Sequence, residues 1–250
     1  MDNVRAVFRG AVADRLIPVD PTEGVTLPRR RRAAAAMTIP TTTEVGRLIE
    51  VADGPFRAFL GLCAFGGLRL GEAAGVQVGD VEFLNRRLVI SRQIQRENGG
   101  FEVRSPKYGS ERTIYLVPRL VEMLTEHVRL YRPSGGPTRW LFTGEANDPP
   151  HQNTVGHRWR KTLESAGIEG LKLHDLRHFF ASGLISQGCD VVTVQRALGH
   201  ATATTTLNTY SHFWPTTEDR TRSAAEAMMT ESLDGKTQNL ADFSRIESAH

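Results

Sequence analysis

Residues 171–212, LKLHDLRHFFASGLISQGCDVVTVQRALGHATATTTLNTYSH, carry four side chains able to do chemistry: His174, Arg177, His200 and Tyr210. No carboxylate cluster accompanies them. A guanidinium matches phosphate oxygens with a two-pronged fork and keeps its charge at any physiological pH, so Arg177 suits the clamping of a phosphodiester. Imidazoles donate hydrogen bonds or move protons near neutrality. A tyrosine hydroxyl, with a pKa of about 10, is a poor nucleophile until cations and hydrogen bonds stabilise the developing charge. Together the four read as phosphoryl transfer to tyrosine.

The elements that must position them follow from spacing. Leu173, Leu176, Phe180 and Leu184 recur at helical intervals, so a helix starting near His174 buries them on one face and sets His174 and Arg177 side by side. Asp190 is an N-cap for a second helix with Val191, Val194 and Leu198 as its apolar stripe, and Gly199 is its left-handed terminus. His200 is thereby delivered from a tight turn. The run Ala201 to Thr206 is rich in side chains that cap and turn, and a short segment from Thr205 to His212 carries Tyr210, either presented to a substrate or withheld from it.

The words HDLRH, ALGH and NTYSH, in that order, resemble the tyrosine recombinase (phage integrase) family. Its pattern also requires an earlier arginine and a hairpin lysine. Gly66-Gly67-Leu68-Arg69-Leu70-Gly71-Glu72 is similar to the family's first-arginine motif, and identifies Arg69. Taken alone, this Arg–Glu pair reads as a surface loop or as an arginine aimed from the core at a phosphate. Lys107 stands at the second turn of a strand-rich stretch, 86–116, and is one of four lysines against 27 arginines. An arginine cannot release a proton in a protein and a lysine can, so a site needing a donor must keep Lys. Pro106-Lys107-Tyr108 departs from the family's turn at its third residue.

What the resemblance implies is a mainly helical α+β catalytic fold with a small three-stranded antiparallel sheet, matched over residues 37–230. It implies cleavage and rejoining of double-stranded DNA through a 3′-phosphotyrosine, without cofactor, metal or ATP. Arg69 and Arg177 would hold the phosphate, Lys107 would protonate the leaving oxygen, and His174 would take the proton of the nucleophile Tyr210. His200 would hydrogen-bond the phosphate, Glu72 would buttress Arg69, and His178 would lie packed or hydrogen-bonded beneath the site. The expected assembly is a homo-tetramer on DNA, and a monomer or weak oligomer when free. Type IB topoisomerases have a similar site, and a DNA-binding remnant without recombination activity is the reading from a different class.

The rest of the chain is consistent with these readings. Across 250 residues, 40% hydrophobic and 24% charged content with a net charge of +3 are ordinary for a globular protein and permit a nucleic-acid partner. Two cysteines, Cys63 and Cys189, in apolar surroundings read as reduced thiols of a cytoplasmic protein. The longest apolar run ends at Arg69, which supports neither a signal peptide nor a membrane span. Residues 1–16 read as one amphipathic helix, which the family resemblance implies is the last of a truncated core-binding domain. It leads through a proline-broken linker into Arg29, Arg30, Arg31 and Arg32, which are either a solvated charge run or a strand crossing DNA backbone.

Thr41 with Glu44 forms a capping box, and helices are expected over 55–66, 118–131, 153–166 and 216–229. Strands are expected over 87–93, 101–105, 112–116 and 140–142. Arg158, Arg160 and Lys161 make the 153–166 helix basic, either as a solvated face or as a DNA contact. Residues 231–250 read as a polar, disordered tail. His174 and His178, four apart, also have metal-ligand spacing. A third ligand and a carboxylate base are missing nearby, because Asp175 projects about 100° away.

Overall fold

The computed structural model describes residues 2–25, 37–97, 100–106, 109–132, 134–144, 147–214 and 217–233. Two compact units are present, Met1–Met37 and Thr38–His250. In the first, helix α1 (Asp2–Ala13) is followed by turns, and the Arg5 guanidinium donates to the Val25 carbonyl at 2.5 Å. Arg29 to Arg32 lie outside the described residues.

The second unit is mainly helical, and its centre is α3 (Gly54–Phe65), where Phe56 and every residue from Ala58 to Ala64 are buried. Asp53 caps this helix and Pro55 opens its first turn, so the start is fixed by local chemistry. Burial of each large apolar side chain contributes roughly 1.5–3 kcal/mol, making this helix the main source of core stability. Helix α2 (Thr42–Val51) opens with the expected capping box of Thr41 and Glu44 and lays Val45 and Leu48 into the same core. Helices α5 (Pro118–Tyr131) and α6 (Gln152–Ala166) pack around it, the latter through Val155 and Trp159. The thiol of Cys63 is buried there and is pushed up to about 12, so it is an inert apolar filler. Among the described residues, no helix is long and apolar enough to cross a membrane.

The sheet differs from the sequence expectation in its membership. The stretch 87–93 is not one strand: it breaks at Ser91-Arg92 into β2 (Arg87–Ile90) and the start of β3 (Gln93–Glu97). A three-stranded antiparallel sheet has the order β1 (Val81–Glu82), β2, β5 (Arg112–Tyr115), while β3 and β4 (Gly100–Arg104) form a separate hairpin. The bend has a physical cause. Helix α4 (Leu70–Ala74) approaches the hairpin so closely that a Cβ on Gly71 would stand 2.8 Å from the Ile94 carbonyl oxygen, and Arg92 turns aside to pair with Asp80. The strand expected at 140–142 reduces to one antiparallel bridge between Trp140 and Gln77, because the chain bends immediately afterwards.

Helices α7 (Asp175–Ser186), α8 (Val191–Leu198) and α9 (Ala203–Tyr210) complete the unit. Asp190 caps α8 through the Val192 and Thr193 N–H groups, and Gly199 ends it at φ 61°, as its sequence signals. The buried face of α7 is Leu176, Arg177, Ala181 and Ile185, whereas Phe180 and Leu184 are only partly covered. Helix α10 (Thr217–Leu233) includes residues 231–233, where a disordered tail was expected to begin, and residues 234–250 of that expected tail lie outside the described residues. Residues 221–232 of that helix are exposed along their whole length.

Candidate active site

Arg69 is set by the end of the core helix. After α3 the chain turns through Gly67 at φ 66°, where a Cβ would collide with the Phe180 ring, and then places Arg69 at the N-terminus of α4. Glu72 on that short helix receives the Arg69 backbone N–H at 3.0 Å and its guanidinium at 2.6 Å. A second guanidinium completes the arrangement: Arg112 of β5 forks onto both oxygens of Glu72, at 3.2 and 2.9 Å, and donates to the Ala197 carbonyl at 3.0 Å. Burial alone would raise the Glu72 carboxyl, but the hydrogen bond and charge of Arg112, with those of Arg69, outweigh it and hold the group at about 2. Sequence reasoning assigned Arg112 nothing beyond a place in a strand. Its 40-residue separation from Glu72 left no local signal to find it by.

Arg177 is the second arginine of the cluster, and its setting is different. It is 2% exposed, and its fork reaches two backbone carbonyls, that of Gly67 and, at 2.5 Å, that of Leu198. Among the described residues, no carboxylate lies within ion-pair distance of it. Burial and the neighbouring Arg69 charge lower this guanidinium to about 9, still charged at neutral pH.

His200 follows the left-handed Gly199, its backbone N–H bonded to Gln195 and its Nδ1 2.9 Å from the Thr206 hydroxyl. Burial, then Arg177, Arg69 and Arg112, push its imidazole down to about 4, so it is neutral at physiological pH. His174, at the N-terminus of α7, lies on the open side of the cluster. Desolvation of its inner face, then His178, Arg177 and Arg69, lower it as well, but more than a third of the residue meets solvent, which screens that shift.

Tyr210 is the last residue of α9, and α9 is a capped helix where the sequence suggested only a short segment. The side chain is withheld from solvent, at 1% exposure, with its ring nearly parallel to that of His200 at 6.4 Å. Burial raises its hydroxyl to about 12, against the opposing pull of Arg177 and Arg69. The chain beyond it is tied down by Trp214, whose indole N–H donates to the Cys189 carbonyl at 3.2 Å.

His178 is not merely beneath the site: its Nδ1 lies 2.7 Å from the Tyr210 hydroxyl oxygen. The sequence offers this imidazole as packed, as hydrogen-bonded or as a metal ligand, and does not name Tyr210 as the partner.

Arg69, His174, Arg177, His200 and Tyr210 are thus brought together, close enough for each titratable group to feel the cations. Lys107 lies outside the described residues. Arg158 leans toward Asp53 at 3.8 Å, while Arg160 and Lys161 are exposed on α6. Among the described residues, no three His, Cys, Asp or Glu side chains converge as metal ligands.

Comparison with known proteins agrees with this geometry. The model of the "Phage integrase family" matches residues 40–215. Over 215 residues, 84% of this chain and 56% of the relative, the sequence is 27% identical to a protein carrying the name of an integrase of prophage phiRv2 in Mycobacterium tuberculosis. It is 27% identical to a XerC-like tyrosine recombinase of Caldanaerobacter subterraneus, covering 85% of this chain and 61% of that protein. The chain therefore spans little more than half the length of these relatives. Among solved structures, the Tn1549 transposon integrase in complex with transposon right-end DNA shares the fold, with a TM-score of 0.70 at 22% identity over 90% of this chain and 76% of that one. With the motif residues gathered at one place and more than half of the sequence matched, this chain belongs to the phage integrase family.

Proposed function

We propose that this chain is the catalytic part of a cytoplasmic site-specific DNA recombinase that cleaves and rejoins DNA strands through a 3′-phosphotyrosine on Tyr210. The observation that carries the reading is Arg177, a buried guanidinium with no carboxylate partner among the described residues, close enough to Tyr210 for its charge to act on the phenol. A buried unpaired charge is costly unless an anion meets it, and a phosphodiester is such an anion. Arg69 and Arg177 would hold the non-bridging oxygens and stabilise the charge that grows in the transition state. His200, neutral and fixed by Thr206, would donate to the same phosphate. Lys107 would give the leaving 5′ oxygen its proton, and the energy of the phosphodiester would be kept in the tyrosyl bond.

Four such chains would act together on two DNA duplexes, with Arg29 to Arg32, Arg160 and Lys161 contributing contacts to the backbone. The test is incubation with nicked suicide duplexes drawn from the DNA flanking the chain's own gene. A covalent protein–DNA band that persists in EDTA is expected. Relaxation of supercoiled plasmid without any site preference would point instead to a topoisomerase.

A further inference from the structure

The family resemblance gives the task of accepting the tyrosine proton to His174. The geometry at Tyr210 does not favour it. The Tyr210 hydroxyl is 2.7 Å from His178 Nδ1, the two rings standing 5.6 Å apart at 65°, whereas His174 lies on the open side of the cluster. The ring of His174 instead meets that of His178 edge-on, with centroids 4.8 Å apart. His200 is no alternative, because its Nδ1 is committed to Thr206 and its ring lies parallel to that of the tyrosine. Resting on the recombinase reading, we propose that His178 is the base that takes the phenolic proton of Tyr210, leaving His174 to face the phosphate.

The direction of the hydrogen bond follows from burial. A hydroxyl with 1% exposure, held above its ordinary range, keeps its proton at neutral pH, so the phenol donates and Nδ1 accepts. His178 therefore carries its own proton on Nε2. Burial first, and then Arg177 against the opposing Asp175, lower this imidazole, which keeps it unprotonated and ready to accept. A phenol enclosed this way has no bulk water to which it could lose the proton.

Helix geometry explains the pairing. Successive residues on α7 point about 100° apart, so Arg177 can turn to the Gly67 and Leu198 carbonyls while His178, next in sequence, turns to α9.

The step balances without any further reactant. As the Tyr210 oxygen forms its bond to phosphorus, its O–H bond breaks and an N–H bond forms at His178 Nδ1. The bond from phosphorus to the 5′ oxygen breaks, and that oxygen takes a proton from the acid of the reaction. On rejoining, the 5′ hydroxyl attacks phosphorus as its proton returns to that same acid, and the His178 imidazolium returns its proton to the departing phenolate. An imidazolium beside Arg177 is unfavourable in the free protein, and the bound phosphate offsets it. General-base participation of this kind contributes about 10²–10⁴ in rate.

The experiment compares single-turnover adduct formation by the full chain, His178→Ala, His178→Asn and His174→Ala on one suicide duplex. The asparagine places an amide where Nδ1 stood but cannot hold the proton. Both His178 variants are expected to lose about 100-fold or more. Added imidazoles of increasing basicity should restore His178→Ala in proportion to their basicity, and should leave His174→Ala unchanged. An asparagine variant within about threefold of the unaltered chain, or rescue that follows the size of the added base and not its basicity, overturns the proposal.

Failure of the unaltered chain to form an adduct counts against the recombinase reading instead. In that event nitrogen-15 NMR of the histidines decides the proton's direction independently. An Nε2–H tautomer of His178 whose Nδ1 signal moves in Tyr210→Phe supports the acceptor assignment, and an Nδ1–H tautomer overturns it.

Discussion

Arg112 and Arg177 are both buried guanidiniums within one cluster, and they are satisfied in opposite ways. Arg112 forks onto a carboxylate, is held by it, and reaches the Ala197 carbonyl besides. Arg177 has two carbonyls and no carboxylate among the described residues. One buried acid, Glu72, thus serves Arg69 and Arg112 while the charge of Arg177 stays unmatched. Fully paired charges build scaffolding, whereas an unmatched one defines where an anion belongs. The site is therefore two regions: a compensated ion network that fixes geometry, and a guanidinium without a carboxylate among the described residues, near which burial keeps His200 and Tyr210 neutral.

The sharpest way to break this comparison is to alter the unmatched charge. Arg177→Lys should lower single-turnover adduct formation by about 10³-fold, because an ammonium cannot span two carbonyls and a phosphate as a planar fork does. Thermal unfolding measured alongside should change far less than activity. A variant that loses fold and activity together would make Arg177 scaffolding like Arg112.

Next in size is the scaffold itself. Glu72→Gln leaves two guanidiniums facing a neutral amide, and thermal or denaturant unfolding should show a loss of about 3 kcal/mol, the worth of holding a carboxyl at about 2 in place of 4.5. The sign can be checked by acid titration. A depressed carboxyl contributes its full stability above pH 4.5 and loses it as pH falls toward 2, so Glu72→Gln should differ most from the unaltered chain at neutral pH and converge with it in strong acid. An unchanged gap at pH 2 would detach the stability from this carboxylate.

His200 titrates with the same sign at a higher pH. Its folded value of about 4 lies below the ordinary 6.5, so its contribution is complete above pH 6.5 and declines down to about 4. His200→Asn should flatten that portion of the stability curve. The smallest effect expected is that of Thr206→Val, which removes one hydrogen bond, 2.9 Å long, from His200 Nδ1. A loss of about 1 kcal/mol in transition-state stabilisation, roughly fivefold in adduct rate, should follow.

The features legible in the sequence were those whose cause is local. The Thr41–Glu44 capping box, the Asp190 cap and the left-handed Gly199 are each decided within a few residues, and all three stand in the structure. The order of the motif words was likewise enough to gather five of the site residues. What escaped was set by contacts across long separations. The bend at Ser91-Arg92 depends on how closely Gly71 lets α4 approach the hairpin, and pairing of β2 with β5 depends on that bend. The bond from His178 to Tyr210 spans 32 residues, and the links from Arg177 to the Gly67 carbonyl span 110. Periodicity shows which face of α7 is apolar, but it cannot say what a polar residue on that face will find.

The most direct measurement of the account is the position of the covalent bond. Trypsin cleavage after Arg196 and Arg220 releases a peptide, Ala197 to Arg220, in which Tyr210 is the one tyrosine. After reaction with a suicide duplex and nuclease trimming, mass spectrometry should find this peptide carrying a nucleotide through a 3′-phosphate on Tyr210, and Tyr210→Phe should abolish the species. A nucleotide attached to any other residue, or an undiminished adduct with phenylalanine at 210, would contradict the account.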